Sequence, residues 1–322
     1  MIEFRRRKVF TWHIHGSYLF YLSKGDYEIY IPVNEKRDEG YYGRGLTFPF
    51  GSNVIEVEAR QVKDLNFDVI LFQTDRNFEK DQYEILSEEQ RKLPRVFLKH
   101  DPPPSLTSKL VMNDPDVLIV HVTEFNRLMW DNNGLETRVI QHGVTDNGYL
   151  WNGSLKKGIV VINNLSPRGR FLGADIFDYL SKILPLDIVG MGTEDLGGGE
   201  VLHPYLPQYI SNYRFFLNPI RYSSMPLSLC EAMMTGIPVV ALSVTELPEI
   251  IKDGINGYIS NDLDYLTAKM KLLLADPGIA KQLSKNARKT AIDKFSITRF
   301  TNEWMKVFDE VIQQKPVDLK SC

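Results

Sequence analysis

The sequence predicts an α/β protein of two domains, each a parallel sheet wound with helices, and three observations carry that expectation. The chain has 322 residues, more than the roughly 100 to 200 that one compact domain holds. Short β-rich runs alternate with helical stretches through both halves, as parallel strands joined by crossover helices require. With 43% hydrophobic and 25% charged residues, the chain can bury substantial cores and is neither disordered nor fibrous in composition.

In the first half the strand-like runs are Val9–Ile14, Tyr27–Val33, Val54–Val57, Asp68–Phe72, Arg95–Leu98 and Val117–Val120. Helical stretches fall at Asp81–Lys92 and at Glu124–Asp131, the latter behind Thr123 as N-cap. The second half restarts with strands at Ile159–Ile162, Leu186–Val189, Phe215–Leu217 and Val239–Leu242. Helices follow at Gly173–Lys182, Pro207–Asn212, Leu227–Thr235 and Leu247–Lys252. From Leu263 onward three helices are expected, Asp264–Leu274, Ile279–Lys294 and Ile297–Gln313, broken by Asp276-Pro277-Gly278 and by Phe295-Ser296. Phe300, Trp304, Val307, Phe308 and Val311 make an apolar stripe on the last helix, which must pack on something, the first domain being one candidate. The Gly- and Asn-rich stretch Asp146–Gly158 reads as the join, giving domains at 1–150 and 151–300 and a terminal helix and tail at 301–322.

A formal net charge of -3 and a pI near 6.1 give no overall electrostatic reason to bind nucleic acid. The run Arg5-Arg6-Arg7-Lys8 is either a solvated flank of the first strand or a small contact for anionic lipid head groups. Two cysteines, Cys230 and Cys322, cannot make a disulfide framework and fit a reducing compartment. No signal-like start and no apolar run near the roughly 20 residues of a membrane span are present. The expectation is a cytoplasmic protein, soluble or at most peripheral on the inner face of the membrane.

The segment Ser223-Ser224-Met225-Pro226-Leu227-Ser228-Leu229-Cys230-Glu231 is the richest in chemical content. Ser223 or Ser224 can cap a helix, Pro226 suits its opening turn and Gly236 its end. A helix N-terminus is then set at the C-terminal edge of the strand Phe215–Leu217, where unpaired amides and a partial positive charge suit a phosphate. Glu231 lies about one turn inside that helix among apolar neighbours, so its carboxylate needs a partner: a ribose diol, or a salt bridge to a neighbouring loop. Arg168 and Arg170 follow the strand Ile159–Ile162 and offer guanidinium forks for phosphate, unless they are plain surface arginines. In the first half, His13-Ile14-His15-Gly16-Ser17 ends a strand with a glycine that permits close approach of a ligand. His100 ends another, as a structural or a ligand-facing histidine. Tyr18–Lys24 reads as a variable loop for acceptor contacts, although Tyr18, Phe20 and Tyr21 suit a core better than a sugar platform. No G-x-G-x-x-G, zinc-ligand spacing, G-x-S-x-G, Walker A or kinase-like set is found.

Four stretches carry a resemblance as an ordered set: Val139-Ile140-Gln141-His142-Gly143-Val144, Val189-Gly190-Met191-Gly192, Glu231 through Val240, and Glu246-Leu247-Pro248-Glu249-Ile250-Ile251 with Asp253-Gly254-Ile255-Asn256-Gly257. Over about residues 139–300 the chain resembles the retaining GT-B glycosyltransferases numbered four in the usual sequence classification, the glycosyl transferases group 1. The first domain resembles them loosely, through Gly16 and His100-Asp101. The resemblance implies two Rossmann-like domains facing across a cleft, with a C-terminal helix returning to the first.

It further implies that Glu231 holds the donor ribose and that amides near Met225, Pro226, Leu227 and Ser228 meet the diphosphate, with Ser223 and Ser224 beside them. Gly190 and Gly192 would line the donor site, Gly16 and Ser17 would border the diphosphate, and His100 would sit by the transferred sugar. The implied chemistry is front-face transfer of a hexose from a UDP- or GDP-linked donor to a glycan, lipid-linked or small-molecule acceptor. Neither a metal nor a further cofactor enters it. Three departures stand out: Ser223 where the family has a glutamate, Leu172 where it has a lysine, and Pro226 where it has a glycine. Arg168 and Arg170 are the residues expected to supply the missing charge. The rival readings are a non-catalytic nucleotide-sugar-binding subunit of a glycan assembly complex and a GT-B nucleotide-sugar epimerase.

Overall fold

The computed structural model describes residues 5–110 and 112–314. The chain divides into two compact units, one built from the described residues up to Gln141 together with those from Thr298 onward, the other from His142 to Ile297. The expected boundary at 150/151 moves back because the intervening residues are tied into the second unit. Val144 N donates to Phe295 O (3.0 Å), and both Leu150 N and Trp151 N donate to Thr235 O (3.2 Å each).

The first unit holds seven parallel strands: β1 (Arg7–Thr11), β2 (Tyr27–Val33), β3 (Val54–Glu58), β4 (Val69–Phe72), β5 (Arg95–Lys99), β6 (Val117–His121) and β7 (Thr137–Val139). Their spatial order is β3-β2-β1-β4-β5-β6-β7, so the chain reverses its direction of travel across the sheet between β1 and β4. β1 stops at Thr11 rather than running to Ile14. Gln73 Nε2 donates to both Thr11 Oγ1 and Trp12 O (2.9 and 2.7 Å), replacing the ladder with a side chain. The edge strand β7, only three residues long, leaves no period to read in the sequence.

Two further expectations are corrected here. Tyr18–Lys24 is not a loop: α1 (Gly16–Leu22) buries Tyr18, Leu19, Phe20, Tyr21 and Leu22. The single helix expected at Asp81–Lys92 is broken into a π-turn at Asn77–Asp81, a short α2 (Gln82–Ile85) and a 3-10 turn at Gln90–Lys92. Ser87 N donates to Gln90 Oε1 and Gln90 N donates to Ser87 Oγ (2.8 and 3.2 Å), a reciprocal cap that starts a new turn instead of continuing the old one. A further helix, α3 (Glu124–Met129), is capped as expected by Thr123, whose Oγ1 accepts from Asn126 N (3.0 Å).

The second unit has five parallel strands, β8 (Leu155–Val161), β9 (Leu186–Val189), β10 (Tyr213–Asn218), β11 (Val239–Ala241) and β12 (Gly257–Ile259), in the order β12-β11-β10-β8-β9. Its helices are α4 (Leu165–Leu172), α5 (Ala174–Ser181), α6 (Leu206–Ile210), α7 (Leu227–Thr235), α8 (Leu247–Ile250), α9 (Leu263–Ala275) and α10 (Pro277–Lys294). α4 was not foreseen, because Pro167 and Gly169 argue against a helix. Gly169 does break its geometry, at φ 55 and ψ −138, a conformation open to glycine alone.

The last helix, α11 (Ile297–Gln314), buries the foreseen stripe Phe300, Trp304, Val307, Phe308 and Val311 within the first unit. Trp304 Nε1 donates to Tyr18 Oη (3.0 Å), Phe300 meets Tyr18 edge to face at 5.4 Å, and Phe308 meets Tyr27 likewise at 5.2 Å. The stretch 315–322, with Cys322, lies outside the described residues, and Cys230 is buried as a free thiol. Among the described residues no helix is long and apolar enough to cross a membrane. Trp304→Ala is expected to cost the first unit about 3–5 kcal/mol, and Tyr18→Phe, which removes only the accepting hydroxyl, about 1–3 kcal/mol because the indole N–H loses this acceptor. Denaturant unfolding of the two variants checks the order, and equal losses would mean that the bond to Tyr18 carries the helix.

Candidate functional site

Ligands of open parallel sheets bind at the C-terminal strand edge where the strand order reverses. In the second unit that point lies between β8 and β10, and the loops leaving these strands carry most of the residues singled out above. After β8 the chain turns through Asn164, held at φ 52, into α4. After β9 it turns through Gly190 (φ 147) and Gly192 (φ 66). The two turns are bolted together: Asn164 N donates to Met191 O (2.7 Å) and Met191 N donates to Asn163 Oδ1 (2.9 Å). A Cβ on Gly190 would stand 2.3 Å from Ile162 O, and one on Gly192 would stand 2.3 Å from Asn164 Oδ1. These glycines are therefore needed for loop-to-loop contact, whatever else they line.

The loop after β10 leads into α7. Pro226, not Ser223 or Ser224, is the N-cap residue, in extended conformation (φ −64, ψ 127) with no side-chain cap bond. A proline lends its carbonyl to the first turn, and both Leu229 N and Cys230 N point at Pro226 O (3.1 and 3.4 Å). The amides of Leu227 and Ser228 precede that first bond and have no acceptor inside the helix. His142 Nε2 meets Met225 O at 2.9 Å and fixes the entry to the helix, a role the sequence showed only as part of a motif. Ser228 Oγ donates to Val161 O (3.1 Å), which ties α7 to the end of β8. Ser224 and Met225 are buried, while Ser223, Pro226, Leu227 and Ser228 are partly exposed.

Glu231 is 8% exposed, one turn into α7, with Leu229, Cys230, Ala232 and Met233 fully enclosed around it. Its carboxylate Oε1 lies 3.1 Å from His203 Nε2. His203 belongs to the loop between β9 and α6 and was not singled out in the sequence. A lone histidine in a glycine-rich loop gives no signal until the fold brings it to α7.

Arg168 and Arg170 are both exposed on α4, on either side of the Gly169 break. Arg170 Nη1 is bonded to Asp175 Oδ2 (2.7 Å). Arg221, from the loop after β10, holds the same carboxylate with two bonds of 2.6 and 2.8 Å. The Arg221 guanidinium keeps the Asp175 carboxyl below the usual carboxylate range, with Arg170 adding to the effect. Arg168 has no ion pair among the described residues. Leu172 is buried, so the position that departs from the family pattern serves packing rather than charge.

In the first unit the reversal lies between β1 and β4, and the residues expected there do gather. Gly16 opens α1, where a Cβ would stand 2.4 Å from the Phe48 ring, and the partly exposed Ser17 follows. His100 Nε2 meets Gln73 Oε1 at 3.1 Å, and the His100 ring lies 4.0 Å from that of His15 and 4.6 Å from that of Tyr18, centre to centre. Burial pushes the pKa of His13 down, partly offset by its bond to the Gly43 carbonyl. The basic run at the start of β1 is already engaged within its unit: Arg5 with Asp68, Arg6 with Asp26, Arg7 with Asp309, and Lys8 Nζ over the Tyr30 ring at 5.9 Å. No group of three or more histidine, cysteine or acidic residues is placed to hold a metal ion among the described residues.

Residues 196–276 match the family model described as Glycosyl transferases group 1. Among curated proteins, the chain is 33% identical over 90 residues to an uncharacterized 41.2 kDa protein in the cps region of Klebsiella pneumoniae, covering 28% of this chain and 23% of that one. It is 25% identical over 103 residues to the poly(ribitol-phosphate) alpha-N-acetylglucosaminyltransferase of Staphylococcus aureus, covering 31% of this chain and 21% of that one. The matched stretch thus spans less than a quarter of either relative. Sucrose-phosphate synthase from Thermosynechococcus elongatus superposes with a TM-score of 0.70 at 13% identity, over 96% of this chain and 100% of that one. Anabaena Alr3699/HepE, solved in complex with UDP and glucose, superposes with a TM-score of 0.66 at 16% identity, over 95% and 100%. These likenesses show the fold, the two-sheet α/β GT-B class.

The loop contact at Gly190 (φ 147) can be tested against a glycine of similar φ but open surroundings, Gly199 (φ 159, nothing within 4 Å of a Cβ). Gly199→Ala is expected to cost about 1–3 kcal/mol for the positive-φ backbone alone. Gly190→Ala is expected to cost about 1–3 kcal/mol more, because Ile162 O must move. Equal midpoints in denaturant would show that the two loops yield freely.

Proposed function

Taking residues 196–276 as a glycosyl transferases group 1 segment on a GT-B scaffold, we propose that the protein is a retaining glycosyltransferase whose second unit holds a nucleotide-diphosphate sugar. Its acceptor is a glycan, a lipid-linked sugar or a small molecule. The observation that carries this reading is Glu231: a buried carboxylate one turn behind a helix N-terminus, at the reversal point of a parallel sheet. A ribose diol offers two hydroxyl donors to that carboxylate. A diphosphate set beside it meets the open amides of Leu227 and Ser228 and the positive end of α7. A neighbour of the same fold solved with UDP and glucose favours a UDP-linked hexose.

In this reading the bond between the anomeric carbon and the diphosphate oxygen breaks while the acceptor hydroxyl attacks the same face. The acceptor proton passes to the departing phosphate, and no protein nucleophile is needed. Negative charge grows on the diphosphate as the sugar leaves, so fixed positive groups lower the barrier. Arg168 is the better placed of the two arginines, because Arg170 shares Asp175 with Arg221.

UDP or GDP at about a hundred times its dissociation constant is expected to add about 2.7 kcal/mol of stability, and Glu231→Ala to remove that gain. Thermal-shift measurement checks this, and the absence of a shift with UDP, GDP, CDP and ADP would sink the reading. Arg168→Ala is expected to keep the nucleotide shift but to slow hydrolysis of the sugar nucleotide by about tenfold or more. An unchanged hydrolysis rate would remove Arg168 from the chemistry, and a wild-type protein that binds but never turns over would be a donor-binding subunit.

A further inference from the structure

The partner of Glu231 comes from a segment with its own rigidity. Gly190 N donates to Gly199 O (2.9 Å), Gly198 N to Thr193 O (3.0 Å) and Thr193 Oγ1 to Gly190 O (2.7 Å), which closes the start of the loop after β9 on itself. Its far end is held by Leu206 N, which donates to the carbonyls of Leu202 and His203 (3.2 and 3.3 Å) and opens α6. α6 packs against α7. His203 is thus carried by a turn fixed at both ends, and its Nε2 reaches the one carboxylate in the apolar body of α7.

A glutamate side chain has three rotatable bonds, and burial among apolar groups does little to choose the plane of its carboxylate. A directed donor does. His203 Nε2–H occupies one lone-pair position of Oε1, and an ionised carboxylate has about four. A hydroxyl donor that reaches the same carboxylate must take a direction compatible with the imidazole.

We propose that His203 is a positioning residue for the donor's ribose: the His203–Glu231 pair, rather than Glu231 alone, sets the preference for a nucleotide with a 2′-hydroxyl. This rests on the reading of Glu231 as the ribose-holding group. It assigns a specificity role to a loop residue that lies 28 positions from Glu231 in sequence.

The test is calorimetric titration of UDP against 2′-deoxy-UDP, and of GDP against 2′-deoxy-GDP, with wild type, His203→Ala, His203→Gln and Glu231→Ala. Wild type is expected to favour the ribonucleotide by about tenfold or more, and His203→Ala to bring the ratio to about threefold or less. His203→Gln, which keeps an N–H donor, should recover most of the preference. A purely structural tie between loop and helix would weaken ribo and deoxy forms alike, so an intact ratio in His203→Ala overturns the inference. If Glu231→Ala abolishes the ratio while His203→Ala leaves it untouched, the ribose reading stands and only the role of His203 falls. If wild type binds none of the four nucleotides, the ribose reading fails and takes the inference with it.

Discussion

Strand β8 pairs in parallel with β9 on one side and β10 on the other, and the candidate donor site hangs on that fork. Parallel pairing delivers every strand-to-helix turn to the same edge of a sheet. At a fork, the turns after the two strands depart in opposite directions and leave a crevice that neither fills. Here one turn carries Asn164 and Arg168 and the other leads into the open amides of α7. The sequence requirement is modest: β-branched and aromatic runs of the right length, separated by helices long enough to cross over.

What the fork leaves loose, close contacts fix. Gly190 lets the turn after β9 touch Ile162 O, and Gly173 lets the start of α5 lie where a Cβ would stand 2.2 Å from Pro219 O. His142 holds Met225 and Ser228 holds Val161, so both sides of the α7 entry are pinned to neighbouring chain. The charges are distributed with equal economy. Asp175 is shared by Arg221 and Arg170, and Arg168 is the arginine of this edge not committed to an ion pair among the described residues.

The strand pattern and α7 were legible in the sequence because period and capping residues announce them over many positions. That Glu231 needs a partner was legible too, since a carboxylate inside an apolar helix contradicts its surroundings, and the partner the structure shows is His203 of a neighbouring loop. The rest was hidden for identifiable reasons. α4 contains a proline and a glycine, and β7 and β12 are three-residue edges, below any readable period. α1 shows no helical repeat because five of its seven residues are aromatic or leucine and leave no polar face to mark a period. The helix cap passed from serine to Pro226, since a proline carbonyl can open a helix without any side-chain bond. His203 and His142 act only through contacts across 28 and 83 positions of sequence, and no local pattern records such a distance.

The aromatic seat formed by Tyr18 and Tyr27 waits for Phe300, Trp304 and Phe308, which come after the whole second unit in the chain. During synthesis from the N-terminus, the second unit has all of its strands and helices before the first unit receives α11. The nascent first unit therefore carries an open apolar face while more than 150 residues emerge behind it. That interval, in which the first unit's aromatic seat still lacks α11, is the stage at which chaperone capture or aggregation has its largest target.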